Sequence, residues 1–227
     1  MDRRNLIIGG AAVAAAVAAG GWYFTQMYGG QSQAPSGDGG ERDYIPPEEL
    51  ATAGPLGDMV MGDANAPVTI VEYASLTCGH CAAFHKDKLP TLKSEYINTG
   101  KAKLVFREFP FDPVATAAFM VARCADKDRY FPLVSALFEL QKVWAFSEKP
   151  VEGLQKVAQQ AGFTQESFGA CLQNQAVLDG VNAVKDRASK QFGVSSTPTF
   201  FVNGNIVRGN VPIEEFREKI DSALAAS

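Results

Sequence analysis

Short, nearly continuous apolar runs alternate along this chain with longer stretches whose apolar residues recur every three or four positions. Val68–Tyr73 (Val-Thr-Ile-Val-Glu-Tyr) is of the first kind and predicts a strand buried on both faces. Lys103–Phe109 predicts the next strand. Asp58–Gly62 predicts a short edge strand, which Asp63-Ala-Asn-Ala-Pro67 turns into Val68. Between the two longer runs, a helix is expected from about Cys78 to Asn98, kinked at Pro90 and closed by Gly100. Five helical patterns follow, at Val114–Asp126, Phe131–Val143, Val151–Ala161, Gln165–Asn174 and Val177–Phe192, parted by Gly and Pro. Thr199–Val202 and Asn205–Arg208 flank Asn203-Gly204, the signature of a hairpin with a type I′ turn. Pro212 opens a terminal amphipathic helix, Ile213–Leu224. The order is strand-helix-strand, a helical block, then strand-strand-helix. It predicts an α/β fold: a central sheet flanked by helices, with an all-helical subdomain inserted midway.

The first residues break this pattern. Arg3 and Arg4 precede an Ala/Gly-rich apolar run from Leu6 to Phe24. As a helix that run is roughly 28 Å long, about the thickness of a bilayer core. Residues 1–28 are therefore read as an export signal or an N-terminal membrane anchor. Ala16-Val17-Ala18 offers a small-residue cleavage site, and Arg3-Arg4-Asn5-Leu6-Ile7 partly fits a twin-arginine signal. Cleavage after Ala18 would leave Trp22-Tyr23-Phe24 near a new terminus, which favours an anchor with Trp22, Tyr23 and Tyr28 at the outer interface. All of these readings place the remainder outside the cytoplasm. Gly29–Asp43 reads as a flexible tether and Tyr44–Gly57 as an irregular or short helical lead-in, so 29–57 is taken as linker and lead-in ahead of the domain.

Composition narrows the function classes. Of 227 residues 46% are hydrophobic, which fits a globular domain, and the net charge of −4 argues against nucleic acid as a partner. Four cysteines are too few for a disulfide-dense scaffold.

Two of those cysteines stand in Cys78-Gly79-His80-Cys81, between the strand Val68–Tyr73 and the helix-like stretch that follows. A Cys-x-x-Cys pair at a strand-to-helix junction is suited to reversible oxidation. Unpaired N–H groups and the helix dipole favour an anion at a helix start, and the thiolate is the attacking species in thiol–disulfide exchange. The competing readings are a structural disulfide and a metal site. Zinc usually takes four ligands. Cys124 and Cys171 stand alone, but Cys78, Cys81 and His85 could share a helical face and form a three-ligand site.

Taken together, Cys78-Gly79-His80-Cys81, the downstream Thr197-Pro198-Thr199-Phe200-Phe201 and the five-helix block between them resemble the DsbA family, a thioredoxin fold with a helical insertion. The run Ser75-Leu-Thr-Cys-Gly-His-Cys-Ala-Ala-Phe-His85, with Arg107-Glu-Phe-Pro110, is similar to the DsbA-like proteins of alpha-proteobacteria. The likeness covers about residues 58–224. It implies a DsbA-like thioredoxin domain at 58–227 with its insertion at about 113–192. Gly79 stands where the best-known members carry proline, and the two central residues tune the couple.

The resemblance implies a periplasmic thiol:disulfide oxidoreductase that introduces disulfide bonds into exported proteins. It would work as a monomer without a cofactor and be reoxidised by a DsbB-like membrane quinone reductase. Cys78 is then the nucleophile and Cys81 the resolving partner. His80 stabilises the thiolate by charge or hydrogen bond, unless it is a solvent-exposed cap residue. The Thr197–Pro198 bond is expected to be cis and to face the dithiol, where neighbouring backbone pairs with an extended substrate. Glu72, six residues before Cys78, matches an acid of the family that lies buried beneath the dithiol and relays the proton of Cys81; the alternative is a carboxylate at a sheet edge. His85 is expected to be a helix-surface or packing residue with at most a minor electrostatic role. Cys124 and Cys171 are expected to pair in an oxidising compartment, the alternative being two buried free thiols. The competing functions are a reductase or isomerase of the same fold and a metal carrier using Cys78 and Cys81.

Overall fold

In the computed structural model of this chain, residues 43–226 are described, and the export signal or anchor expected at residues 1–28 lies outside them. Among the described residues no helix is long and apolar enough to cross a membrane. They build one sheet from β1 (Met59–Met61), β2 (Val68–Ala74), β3 (Ala102–Glu108), β4 (Thr199–Val202) and β5 (Asn205–Arg208), in the order β1-β3-β2-β4-β5. β2 is the central strand and pairs parallel with β3; the other pairings are antiparallel. Its burial matches its near-continuous apolar run, with every residue but Thr69 buried. In the β4–β5 hairpin both Asn203 (φ 43°) and Gly204 (φ 91°) have positive φ, the geometry that an Asn-Gly type I′ turn requires. Gly204 is needed a second time: a Cβ there would collide with the Ile45 carbonyl oxygen.

That contact ties the lead-in to the body of the domain. Residues 43–57 are part of the folded body, which therefore begins ahead of residue 58. Ile45 N–H donates to Gly204 O at 2.9 Å, and Tyr44 pairs with Asn205. Ile45 and Leu50, the latter closing the short helix α1 (Pro47–Leu50), are buried against Val71, Val105 and Phe201. Arg107 of β3 donates to Leu50 O, Thr52 O and the Asp58 carboxylate. Two well-placed apolar side chains and one buried guanidinium hold the segment read as an irregular or short helical lead-in.

The helix expected from Cys78 to Asn98 is also divided differently. α2 (Gly79–Asp87) stops at Lys88, α3 (Leu89–Leu92) carries Pro90 in its first turn, and a π-helical turn (Lys93–Ile97) follows. Pro90 lacks the N–H a continuous helix would need and is tolerated where a new helix begins, so the break falls two residues before it. The insert runs between β3 and β4 as α4 (Pro113–Cys124), α5 (Tyr130–Glu139), α6 (Gln141–Trp144), α7 (Pro150–Gln160), α8 (Gln165–Leu172) and α9 (Gln175–Phe192). The single helix expected at Phe131–Val143 is thus two, parted at Leu140. Asp112 caps α4 by accepting from Ala115 N–H, Thr164 and Ser167 form a capping box on α8, and Gly193 closes α9 at φ 67°.

Three apolar clusters divide the interior. Ile70, Leu104 and Phe200 on one sheet face pack with Phe84, Leu92 and, from α10 (Ile213–Ala225), Phe216. The opposite face holds the lead-in and α9. The third cluster fills the insert and includes Phe106, Phe119, Leu137, Phe138, Trp144 and Cys81. This is a thioredoxin fold whose inserted helices bring their own core up to the end of β2.

A buried Arg123–Glu108 ion pair and a disulfide tie the insert together. Glu108 is fully buried and also accepts from Tyr130 Oη–H at 3.3 Å. The Cys124 and Cys171 sulfurs are bonded across a sequence separation of 47. Closing a loop of that length is worth about 4 kcal/mol by the chain-entropy argument. The Cys124→Ser/Cys171→Ser double variant is therefore expected to lose about 2–4 kcal/mol in denaturant melts under oxidising conditions. Unchanged stability would mean that the pair contributes nothing in solution.

Candidate active site

The dithiol sits where β2 ends. Cys78 is the N-cap of α2, with extended backbone (φ −80°, ψ 120°), so the first free N–H groups of the helix lie beside its sulfur. Leu76 is buried and anchors the loop. Ser75 Oγ and Thr77 Oγ1 lie 3.2 Å apart, Thr77 donates to Asp112 Oδ2 at 2.6 Å, and Cys78 N–H donates to Ser75 O. From the insert, the buried Gln141 side-chain amide donates to Leu76 O at 2.8 Å and Cys78 O at 3.1 Å. Nothing in the sequence near Gln141 distinguishes it, because its partners are backbone carbonyls more than 60 residues away.

The two thiols are unlike. Cys78 is half-buried and Cys81 fully buried. The Cys78 pKa is lowered from 9.0 to about 5, foremost by a hydrogen bond from the Cys81 thiol. Burial opposes this, while the Thr197 side chain and the backbone N–H groups of Cys81 and His80 add to it. Cys81 moves the other way, far above its ordinary value, first through burial, then through the hydrogen bond to Cys78 and the charges of Cys78 and Glu72. One sulfur is thus held ready to ionise and the other is held protonated.

The cis Thr197–Pro198 bond opens β4, whose first residue Thr199 pairs with Tyr73 of β2. This brings the loop to the dithiol: the Cys78 thiol donates to Thr197 O at 3.4 Å. That carbonyl favours the protonated thiol. The nearby Thr197 hydroxyl is buried without a hydrogen-bond partner, and as a donor it serves the thiolate. The His80 ring is exposed. What reaches the Cys78 sulfur from this residue is its backbone N–H.

Glu72 is fully buried in the central strand rather than at a sheet edge, and its charge reaches Cys81. Of the two readings of His85, helix surface or packing, the packed one holds, with a carboxylate partner that was not expected. Its Nε2 lies 3.0 and 3.1 Å from the two carboxylate oxygens of Glu72, and its side chain is 5% exposed. The ring stacks on Phe138 at 4.3 Å and meets the edges of Phe84 and Phe106. The spacing of four from Cys81 placed it on the right helix face, but the carboxylate partner lies on another element. The three-ligand metal reading needed His85 beside the thiols. Among the described residues no three His, Cys, Asp or Glu side chains are grouped to hold a metal ion. A cavity of about 420 Å³ opens elsewhere, over Leu50, Val60, Val71 and Val105, and no residue of the dithiol lines it.

A thioredoxin family model matches residues 55–222. A Rickettsia conorii protein named as a protein-disulfide oxidoreductase is 36% identical over 74% of this chain and 60% of its own length. This chain thus spans about three fifths of the Rickettsia relatives. A Bacillus cereus protein named as disulfide bond formation protein D is 30% identical over 72% of this chain and 77% of its own. The crystal structure of Wolbachia pipientis alpha-DsbA1 superposes with a TM-score of 0.73 at 30% identity, covering 78% of this chain and 96% of that one.

Two measurements probe the site. Gln141→Leu takes this donor from the buried Leu76 O, while Cys78 O keeps Ala82 N–H, and is expected to cost about 1–3 kcal/mol of stability. A loss near zero in denaturant melts would mean the brace is dispensable. The second concerns pH. The folded pKa of Cys78 is depressed, so it stabilises the reduced fold fully above the ordinary value of 9.0, and this contribution is lost as pH falls through about 5. Solvent screening of the half-buried sulfur reduces its size. The raised Cys81 acts in the opposite sense, but only as the unfolded thiol ionises near 9.0. Stability of the reduced form, relative to the oxidised form, is expected to rise from about pH 5 to about pH 8. A flat difference across that window would contradict the thiolate assignment.

Proposed function

The chain belongs to the DsbA-like branch of the thioredoxin family, and from that premise we propose that it is a thiol:disulfide oxidoreductase that introduces disulfide bonds into exported proteins. The observation that carries this reading is the asymmetry of the dithiol: Cys78 depressed to about 5 and Cys81 raised behind it. A stabilised thiolate favours the reduced form, which makes the Cys78–Cys81 disulfide an oxidant, and it makes Cys78 a good leaving group. A substrate thiolate attacks Cys78 Sγ, the bond to Cys81 breaks, and Cys81 takes a proton, for which buried Glu72 is the neighbouring acid. A second substrate thiolate then attacks the substrate sulfur of the mixed disulfide and releases Cys78 as thiolate. The substrate disulfide gains what the enzyme disulfide loses, two electrons passing to the enzyme.

Thr197 and Pro198 face the half-buried sulfur and give an extended substrate segment a backbone edge to lie along. His80 contributes through its N–H. The reoxidant would be a DsbB-like membrane quinone reductase, and the site of action the periplasm, with residues 6–24 as a tether and the domain working as a monomer. Gly79 in place of the proline of the best-known members points to a weaker oxidant than those.

Three results are expected. Cys78→Ala abolishes disulfide donation to a reduced client. Cys81→Ala accumulates mixed disulfides through Cys78, because the resolving thiol is gone. At equilibrium with glutathione, the wild-type dithiol stays reduced under conditions that oxidise thioredoxin. A Cys81→Ala protein that traps no client would mean the roles of the two cysteines are misassigned, and a couple as reducing as thioredoxin would sink the oxidase reading and leave a reductase.

A further inference from the structure

We propose that His85 supplies the proton that Cys81 needs, acting through Glu72, so that Glu72 and His85 form a proton conduit from solvent to the buried sulfur. The inference rests on the oxidoreductase reading of the dithiol and goes beyond it, to a residue with no direct contact with the reacting sulfurs.

The argument begins with access. Cys81 is fully buried, and its thiolate is disfavoured by burial and by the neighbouring charges of Cys78 and Glu72. Yet Cys81 leaves as a thiolate each time its bond to Cys78 is opened. It must be protonated in place, and it lies in the apolar core of the insert with Leu76, Phe106 and Phe138. Glu72 is the acid whose charge reaches it, and Glu72 has no exposure of its own. A carboxyl that gives up its proton there must be refilled by another group.

His85 is that group. One ring nitrogen, Nε2, approaches both carboxylate oxygens of Glu72, at 3.0 and 3.1 Å. Such an approach places the hydrogen on nitrogen, since a bare nitrogen lone pair would repel the second oxygen. Of the three groups only His85 keeps contact with solvent, its side chain being 5% exposed against 0% for Glu72 and 0% for Cys81. The rings of Phe84, Phe106 and Phe138 wall the imidazole and fix its direction. These walls, from α2, β3 and α5, bring no charge to it. The Cys81 thiol and the Tyr130 phenol of α5 both feel the Glu72 charge, and Tyr130 is itself raised by burial.

The step balances. A substrate thiolate forms a bond to Cys78 Sγ, and the electron pair of the Cys78–Cys81 bond leaves on Cys81. The His85 imidazolium passes its Nε2 proton to the Glu72 carboxylate, Glu72 passes a proton on to the Cys81 thiolate, and the neutral imidazole that remains takes a proton back from solvent. In the reverse reaction, when Cys81 attacks a mixed disulfide, the same proton travels outwards.

The test uses the oxidised full-length protein, with dithiothreitol opening the disulfide over a pH series and intrinsic fluorescence reporting the rate. Rates are corrected for the thiolate fraction of the reductant. In the wild type the corrected rate is expected to fall as pH rises through the titration of the His85 ring, followed by NMR in the same oxidised protein. His85→Gln retains a donor to Glu72 but cannot titrate. It is expected to slow opening by about tenfold on the acid side and to remove the inflection. Its thermal unfolding and the Cys78 thiolate absorbance of its reduced form should match the wild type, which a merely structural role of His85 would not separate from the rate. A His85→Gln protein with the wild-type rate and pH profile overturns the proposal. If that variant does not fold, a wild-type rate that stays flat where His85 titrates overturns it equally. A wild-type disulfide that does not open through Cys78 at all would instead refute the oxidoreductase reading.

Discussion

The site depends on one hydrogen bond between two sulfurs of unequal burial. The Cys81 thiol donates to Cys78, and this is the largest single influence lowering Cys78 to about 5. The bond works because Cys81 has nothing better to do with its proton: apolar packing surrounds it and a carboxylate lies nearby. The geometry follows from the helix start. An N-cap residue has extended backbone and turns its side chain toward free N–H groups, while the residue three places on lies within the first turn and faces inward. A two-residue spacer gives one half-buried sulfur poised to ionise and one protected thiol. The insert core keeps the second one dry, and Gln141 and Asp112 hold the loop against it.

Buried charges near the C-terminal ends of β2 and β3 are each assigned a partner from a different element. Glu72 meets His85 of α2, Glu108 meets Arg123 of α4, and Arg107 meets Asp58 and the carbonyls of the lead-in. Removing the partner of Glu108 or of Arg107 would strand a buried charge at a cost of roughly 3–5 kcal/mol. These pairs therefore specify which helix and which loop lie over each strand, a discrimination that apolar contacts alone do not make. Glu108 Oε2 and Arg123 Nη2 remain without a hydrogen-bond partner in the same pocket, so that pair is the least fully satisfied of the three.

Elements whose signal is local were legible in the sequence. The β2 run, the Asn203-Gly204 turn and the capped helices of the insert each carry their own pattern within a few residues. The position of the dithiol at a helix start was legible for the same reason. What escaped was set by contacts between distant segments. The lead-in folds because Ile45 and Leu50 find Val71 and Phe201, and no local composition announces that. The break in the first long helix falls at Lys88, because a proline at position 90 is accommodated by restarting the helix rather than bending it. His85 read as a surface or packing residue of an ordinary helix, and only the alignment of α2 over β2 turns it toward Glu72. The side chain of Gln141 acts on backbone atoms, which leave no trace in sequence.

The latch between the lead-in and the hairpin has a directional consequence. β2 runs toward the dithiol, and β4 runs antiparallel to it, so Thr199 lies at the dithiol end and the Asn203-Gly204 turn at the other. The described chain enters the body at that turn, where Ile45 is bonded to Gly204 and Tyr44 to Asn205. The domain thus has two poles, one for entry of the polypeptide and one for chemistry. Whatever grips the body by its entry pole presents the reactive sulfur outward, with the length of the sheet between the two.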